Sequence, residues 1–235
     1  MVELAPEIPD PATAPRQVMA DSIGDMVGHP DYPCLGARSV FRRDRATVRV
    51  YVELNGSATA SQLLADLREF AVSVDSSEDF ASFVAVFRSP AIEDEQHFER
   101  LLWSQLGQLH ECDDQSWSPE VSSDPTDPHF AFSAAGTAYF VVGLHPQASR
   151  DARRAAAPTL VFNLHQQFEA LRESGGFALM RDKIRDRDEQ LQGYLNPMVS
   201  DHGQTSEASQ YSGREVADGW GAPLGAAPFE TEEHA

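Results

Sequence analysis

The sequence feature that most restricts the fold is an almost uninterrupted apolar segment, Ala138–Leu144. Its length suits a β-strand, and the lack of alternation between apolar and polar residues predicts that both of its faces are covered. A shorter strand is predicted upstream at Phe130–Ser133, and the small residues between the two segments are typical of a hairpin turn. The chain therefore needs a sheet in which this strand is buried.

Hydrophobic periodicity predicts the other elements. Two more strands are expected at Thr47–Leu54, which alternates apolar and polar side chains, and at Phe80–Phe87. Helices are predicted at 21–27, after the Asn55-Gly56 turn (with Leu63, Leu64, Leu67 and Phe70 inward), at 94–111, at 158–173 and from Phe177 to a stop at Gly193. Together these elements favour an α+β fold, with a mixed or antiparallel sheet and helices packed on it, in a single domain.

The two ends of the chain differ in composition from the centre. The 235-residue length suits one domain. The proline-rich residues 1–15 predict a flexible N-terminal arm, residues 16–220 the domain itself, and residues 221–235 a disordered acidic tail.

The charge balance narrows the choice of partners. A formal net charge of -19 argues against nucleic acid, which needs a basic surface. No apolar run approaches the ~20 residues that a membrane-spanning helix needs, and the N-terminus lacks a secretory signal pattern. The two cysteines, Cys34 and Cys112, form no disulfide framework, so a cytoplasmic location is expected.

The predicted buried strand ends in a histidine, His145, which a basic loop follows. That loop contains Arg150, Arg153 and Arg154. Imidazole is a common neutral metal ligand, and guanidinium groups bind carboxylates through paired hydrogen bonds, so the loop suits a metal or an anionic cofactor such as haem. A histidine bonded to backbone and a solvated arginine loop would explain the same residues without a ligand.

Other candidate ligands lie elsewhere in the chain. His165 falls on or beside the buried face of the helix predicted at 158–173, and His129 follows Pro128 at a loop end. Three histidines would suit a non-haem metal, although HExxH and other close zinc spacings are absent. Cys34 is either a small buried hydrophobe or a thiolate ligand to haem. No GxSxG, phosphate-binding loop or GxGxxG motif supports acyl transfer or nucleotide chemistry.

Several blocks of the sequence resemble those of the YqcI/YcgG family, in the same order from about Tyr32 to Trp220. The blocks are Tyr32–Ser39, Phe140–Pro146 with Ala148–Arg150 and Arg153-Arg154, Pro158–Phe168, Asn196–Met198, Ser206–Ala208 and Gln210–Arg214.

The resemblance implies a haem-binding protein. Relatives look like haem-dependent oxygenases that hydroxylate nitrogen in an amine, a guanidine or an amino acid, using O₂ and an external electron donor. Without a CxxCH motif, the haem would be held noncovalently as haem b.

The resemblance also suggests roles for individual residues. The axial iron ligand would be His145 or, as the alternative, His165. Arg150, Arg153, Arg154 and Cys34 would line the cofactor, and the substrate-binding candidates are Glu207, Gln210, Tyr211 and Arg214. Two alternatives stay open: a haem sensor or carrier without catalysis, and a non-haem metalloenzyme that uses His129, His145 and His165. A homodimer is also left open.

Overall fold

A computed structural model describes residues 3–74, 80–173, 175–194, 205–217 and 219–224, with backbone only at 170, 173 and 176–178. Its five-stranded sheet has the order β1-β2-β5-β4-β3. The strands are β1 (Ala46–Glu53), β2 (Ser82–Ser89), β3 (Phe132–Ala134), β4 (Thr137–Leu144) and β5 (Thr159–Leu164). Strands β1 and β2 are parallel and the other neighbouring pairs are antiparallel, so the predicted α+β fold with a mixed sheet is confirmed.

Helices cover both faces of the sheet. They are α1 (Arg16–Gly28), α2 (Leu35–Arg42), α3 (Ser57–Ser73), α4 (Glu95–Cys112), α5 (His165–Glu173) and α6 (Gly176–Gln192). In β2, Phe83 and Phe87 join the core cluster of α3 and α4, whereas Val84 and Val86 join the cluster of α1. This alternation follows from the two-residue period of a strand.

Strand β4 is covered on both faces, as its apolar sequence predicted. Tyr139 and Val141 pack into the cluster of α3 and α4, while Val142 and Leu144 contact the cluster of α1. The predicted hairpin is also present, because β3 pairs antiparallel with β4 from Phe132↔Tyr139 to Ala134↔Thr137.

The prediction of a helix at 158–173 is wrong for the first half of that segment. Thr159–Leu164 is strand β5, which lies between β2 and β4, and helix α5 begins only at His165. Val161 and Leu164 have helical spacing, but Leu160, Phe162 and Leu164 also alternate, and pairing with two neighbouring strands decides between the patterns.

The N-terminal segment contacts the domain at several points. Leu4 and Ile8 are buried in the cluster of α1, and Arg88 Nη1 donates to the carbonyl of Ala14 over 2.6 Å. Helix α1 begins at Arg16, five residues before the predicted start at Asp21. The block Asn196–Met198 and most of the predicted tail lie outside the described residues. No helix in the described ranges is long and apolar enough to span a bilayer.

Candidate functional site

The candidate site lies at the end of the sheet where β4 stops and β5 starts, since Leu144 pairs with Thr159. The connection between these strands folds back on itself. His145 N donates to the Arg153 carbonyl over 3.0 Å, and Ala148 N donates to the His145 carbonyl over 3.2 Å. This loop conformation brings arginine residues next to the histidine that ends the strand.

His145 is a buried imidazole with no polar partner among the described residues. Its side chain is 0% exposed, and its ring stacks on Phe98 of α4 with centroids 4.2 Å apart. Neither Nδ1 nor Nε2 makes a hydrogen bond within the described ranges. Burial, reinforced by the nearby charge of Arg153, lowers the pKa of His145 to about 4. The ring is therefore neutral at pH 7 and retains the lone pair that a metal ligand needs.

Arg150 is a buried cation with only part of its guanidinium engaged. Its Nη2 pairs with the carboxylate of Asp188 on α6, and the guanidinium carbon lies 5.4 Å from the ring centroid of Tyr194. Its Nη1 is buried without a hydrogen-bond partner in the described part of the chain. Burial raises the pKa of Asp188, while the neighbouring Arg150 opposes that shift.

The other two arginines support the loop itself. Arg153 donates to the carbonyls of Gly143 (3.0 Å) and Gln210 (3.3 Å), which ties the end of β4 to the turn Glu207–Gln210. Arg154 donates to the Ala148 carbonyl over 3.1 Å and lies 2.8 Å from the carboxylate of Asp151. Both guanidinium groups thus stabilise the conformation that presents His145 and Arg150.

Cys34 caps a helix near this cluster. Its Sγ accepts a hydrogen bond from Ala37 N at the start of α2 over 3.4 Å. Burial raises the pKa of the thiol. The charge of Arg153 lowers this pKa and that of Asp188 raises it. The protonated thiol is therefore the favoured form at pH 7, which is the wrong form for a thiolate ligand.

His165 lies at the opposite end of β5 from His145. Its Nε2 is 3.3 Å from a carboxylate oxygen of Glu169, which also pairs with Arg172. Six strand residues separate the two ends of β5, or ~20 Å at the usual rise per residue. One iron therefore cannot be bound by both histidines.

The three histidines considered for a non-haem metal do not meet in the described structure. His129 lies on an exposed loop, with Nδ1 3.2 Å from the carboxylate of Asp127. Within the described ranges, no group of three or more His, Cys, Asp or Glu side chains is arranged to hold a metal ion. The geometry therefore gives no support to a site made of His129, His145 and His165.

Glu207 and Tyr211 form a buried hydrogen-bonded pair. The Tyr211 hydroxyl lies 2.6 Å from Glu207 Oε1, accepts from Phe132 N over 3.0 Å and donates to the Tyr139 carbonyl over 3.3 Å. Burial raises the pKa of Glu207 to about 8, with the hydrogen bond to Tyr211 and then the charge of Arg172 opposing the shift. The protonated carboxyl group can donate to the Tyr211 oxygen, which makes every bond in this network consistent with a neutral Glu207.

Arg214 is bound inside the protein. Its Nε and Nη2 both approach Glu99 Oε2 on α4, at 3.2 and 2.6 Å, and Ser212 Oγ donates to the other oxygen of the same carboxylate. Its guanidinium group therefore holds the segment after Gln210 against α4. Glu207 is the one carboxylic acid among the four substrate-binding candidates, and its raised pKa makes it titratable near neutral pH.

Gly143 allows the segment around Tyr211 to approach β4. Gly143 N donates to the Tyr211 carbonyl over 2.7 Å. A Cβ atom at position 143 would lie 2.5 Å from Phe98 Cε1 and 2.8 Å from the Tyr211 carbonyl oxygen. The close approach of strand, helix and turn therefore depends on the missing side chain.

Asp188, Tyr194 and Phe98 were not identified from the sequence. Asp188 lies 38 positions after Arg150 on a helix with many charges, and nothing in that pattern distinguishes it from Asp186. Phe98 lies within the helix predicted at 94–111 and was given no role in the site. The contacts of Phe98 with His145 and of Asp188 with Arg150 depend on how α4 and α6 pack on the loop, which local sequence does not determine.

The cluster partly fits a haem. His145 supplies a neutral imidazole whose nitrogens make no hydrogen bond in the described part of the chain, and Arg150 supplies a buried N–H that a propionate can accept from. Arg153 and Arg154 already donate to protein oxygens. Because His145 has no exposed surface, a cofactor reaches it only if a packed neighbour such as Phe98 moves.

Comparison with known proteins places this architecture in a family. The sequence profile of the YqcI/YcgG family matches residues 23–225. The chain is 26% identical to YqcI of Bacillus subtilis (strain 168) over 191 residues, which cover 77% of the chain and 72% of YqcI. It is 25% identical to YcgG of the same organism over 153 residues, which cover 63% of the chain and 59% of YcgG. The match therefore spans less than two thirds of the length of YcgG. No solved structure matches the chain.

Proposed function

The chain belongs to the YqcI/YcgG family, and from that premise we propose that it is a haem-dependent oxygenase. The proposed reaction is the O₂-dependent hydroxylation of nitrogen in an amine, a guanidine or an amino acid. The observation that best supports it is the pair formed by His145 and Arg150. Among the described residues, a neutral buried imidazole whose two nitrogens make no hydrogen bond lies in the same loop as a buried guanidinium with one N–H that makes none.

In this proposal His145 would hold the iron of haem b and Arg150 would hold a propionate. When bound, the haem supplies oxygen activation at its iron, with electrons from an external donor. Arg153 and Arg154 act indirectly, because their hydrogen bonds to Gly143, Gln210 and Ala148 hold the loop in place. The cytoplasmic location is part of the same proposal.

We propose that Glu207 binds a cationic group of the substrate at a distance from the iron, because Tyr211 joins Glu207 to Tyr139, which pairs with Leu164 toward the His165 end of the sheet. With a pKa of about 8, its carboxyl group is mostly protonated at pH 7 and changes charge just above it. A group with this pKa can exchange a proton with a basic nitrogen, and its anion can pair with a cationic one. Tyr211 orients the carboxyl group through the 2.6 Å hydrogen bond.

Reconstitution followed by product analysis tests the proposal. The purified protein is loaded with haemin and given a reductant, O₂ and a panel of amines, guanidines and amino acids. We expect a product that is heavier by one oxygen atom, detected by mass spectrometry, and we expect that ¹⁸O₂ labels it. Haem binding without any oxygenated product would favour a haem carrier or sensor, and failure to bind haem would contradict the proposal.

A further inference from the structure

Helix α6 contacts the domain through polar groups and through Leu191, which packs partly buried against the cluster of α1. None of its described side chains is fully buried, and Leu179 is 69% exposed. In contrast, α4 buries large apolar side chains such as Phe98, Leu102 and Trp103. A helix whose described side chains are at most partly buried gains little from burial and is released more easily than one that carries part of the core.

Besides those of Arg187, whose Nη2 donates to the carbonyls of Pro30 (2.6 Å) and Tyr32 (3.0 Å), the contacts of α6 include several with the loop that contains Arg150. Asp188 pairs with Arg150, and Gln192 accepts from Asp151 N over 2.9 Å and donates to the Ser149 carbonyl over 3.2 Å. Tyr194, just beyond the helix, contacts the Arg150 guanidinium. The C-terminal half of α6 therefore covers Arg150.

Asp188 satisfies Arg150 incompletely. A guanidinium can bind both oxygens of one carboxylate through two parallel hydrogen bonds. Here the Asp188 carboxylate engages Nη2, while Nη1 of Arg150 is buried and has no partner in the described residues. Arg150 is 5% exposed and has a second cation, Arg153, close enough to affect it electrostatically. A carboxylate that engages both nitrogens would pair better with Arg150 than Asp188 does.

We propose that Arg150 is a carboxylate-binding site that Asp188 occupies in the ligand-free protein. A ligand carboxylate replaces Asp188 at Arg150. Helix α6, which covers the site, is then released from the loop that contains Arg150. The exchange keeps a charge opposite Arg150 throughout, so no unpaired buried cation is left. The inference rests on the proposed function only for the source of the carboxylate, which is a haem propionate or the α-carboxylate of an amino acid.

Hydrogen–deuterium exchange of peptides within 179–194 tests the inference, with peptides of β5 as the internal reference. Haemin is compared with haemin dimethyl ester, which lacks free propionates. Arginine is compared with agmatine, which lacks the carboxylate, and sodium acetate with sodium chloride at equal ionic strength. We expect at least one carboxylate ligand to speed exchange in α6 about tenfold, while its matched partner has no effect. The pair that responds identifies the source.

Two variants in α6 provide an independent readout. Asp188→Asn removes the internal carboxylate, so exchange in α6 should be fast without ligand, and the carboxylate ligand that responds should bind several-fold more tightly. Asp186→Asn makes the same change in charge at an exposed position of the same helix and should leave both quantities unchanged.

The two proposals fail in different ways. If no carboxylate ligand speeds exchange in α6, or if Asp188→Asn behaves like Asp186→Asn, the carboxylate site is wrong, whatever the haem spectrum shows. If haemin gives no Soret band while acetate releases α6, the haem function fails and the carboxylate site stands.

Discussion

At the scale of single residues, burial determines the charge states in this protein. His145 is neutral because it lies in the core beside Arg153, and burial raises the pKa of Glu207 to about 8 although the hydrogen bond with Tyr211 opposes the shift. Local sequence pointed to His145 and Arg150, since a histidine at a strand end and a dense arginine loop are visible in one stretch. Their contacts with Phe98 and Asp188 were not predictable, because both partners come from distant helices.

Gly143→Ala should destabilise the fold. The added Cβ would lie within 3 Å of Phe98 and of the Tyr211 carbonyl oxygen, and Phe98 is packed against the buried His145. We expect a loss of about 1–3 kcal/mol in the free energy of unfolding, measured by urea denaturation.

The matched control is Gly107→Ala in α4, where an added Cβ meets nothing within 4 Å. There the better helix propensity of alanine should stabilise the protein by about 0.5–1 kcal/mol. Equal effects at the two positions would contradict the close packing at Gly143.

Glu207→Gln should change how stability depends on pH. Between the ordinary glutamate pKa of 4.5 and the raised pKa of about 8, the folded protein keeps a proton that the unfolded chain has lost. Raising the pH through this window therefore lowers the free energy of unfolding, by up to ~1.4 kcal/mol per pH unit from this group.

Glutamine mimics the protonated carboxyl group and can still donate to Tyr211, so the variant should lack this contribution. Urea denaturation at pH 5, 6, 7 and 8 measures it. Parallel pH curves for the wild type and the variant would show that Glu207 is not protonated in the folded protein.

At the scale of elements, periodicity predicted most of the helices and strands but misassigned β5. The segment Thr159–Leu164 satisfies a helical and an alternating pattern together, and only the strands on either side of it decide. The error matters for the site, because it placed His165 in the middle of a helix. In the structure His165 starts α5, where it pairs with Glu169 at the far end of the sheet.

The elements should differ in local stability. Strand β5 is hydrogen-bonded to neighbours on both sides, whereas the described side chains of α6 are at most partly buried. We expect amides of 180–192 in the ligand-free protein to exchange through local opening, with rates that change little in low urea. Amides of 160–164 should exchange only through global unfolding. Native-state exchange across a urea series checks this, and α6 protection equal to that of β5 would contradict it.

At the scale of the whole molecule, the sheet separates two groups of polar residues. One end holds His145, Arg150 and Arg153, and the other holds His165 with Glu169. Sequence reasoning predicted the fold class and the sheet with buried β4, because those follow from patterns within single segments. It treated the two histidines as interchangeable ligands, because their separation depends on the path of β5 across the sheet.

The most direct test of the central claim is a haemin titration followed by the Soret band, in the wild type, His145→Ala and His165→Ala, with circular dichroism to confirm folding. We expect a Soret band in the wild type and in His165→Ala. In His145→Ala the band should be lost or shifted, and added imidazole should restore it. A wild-type protein without a Soret band, or a folded His145→Ala variant with an unchanged one, would contradict the account.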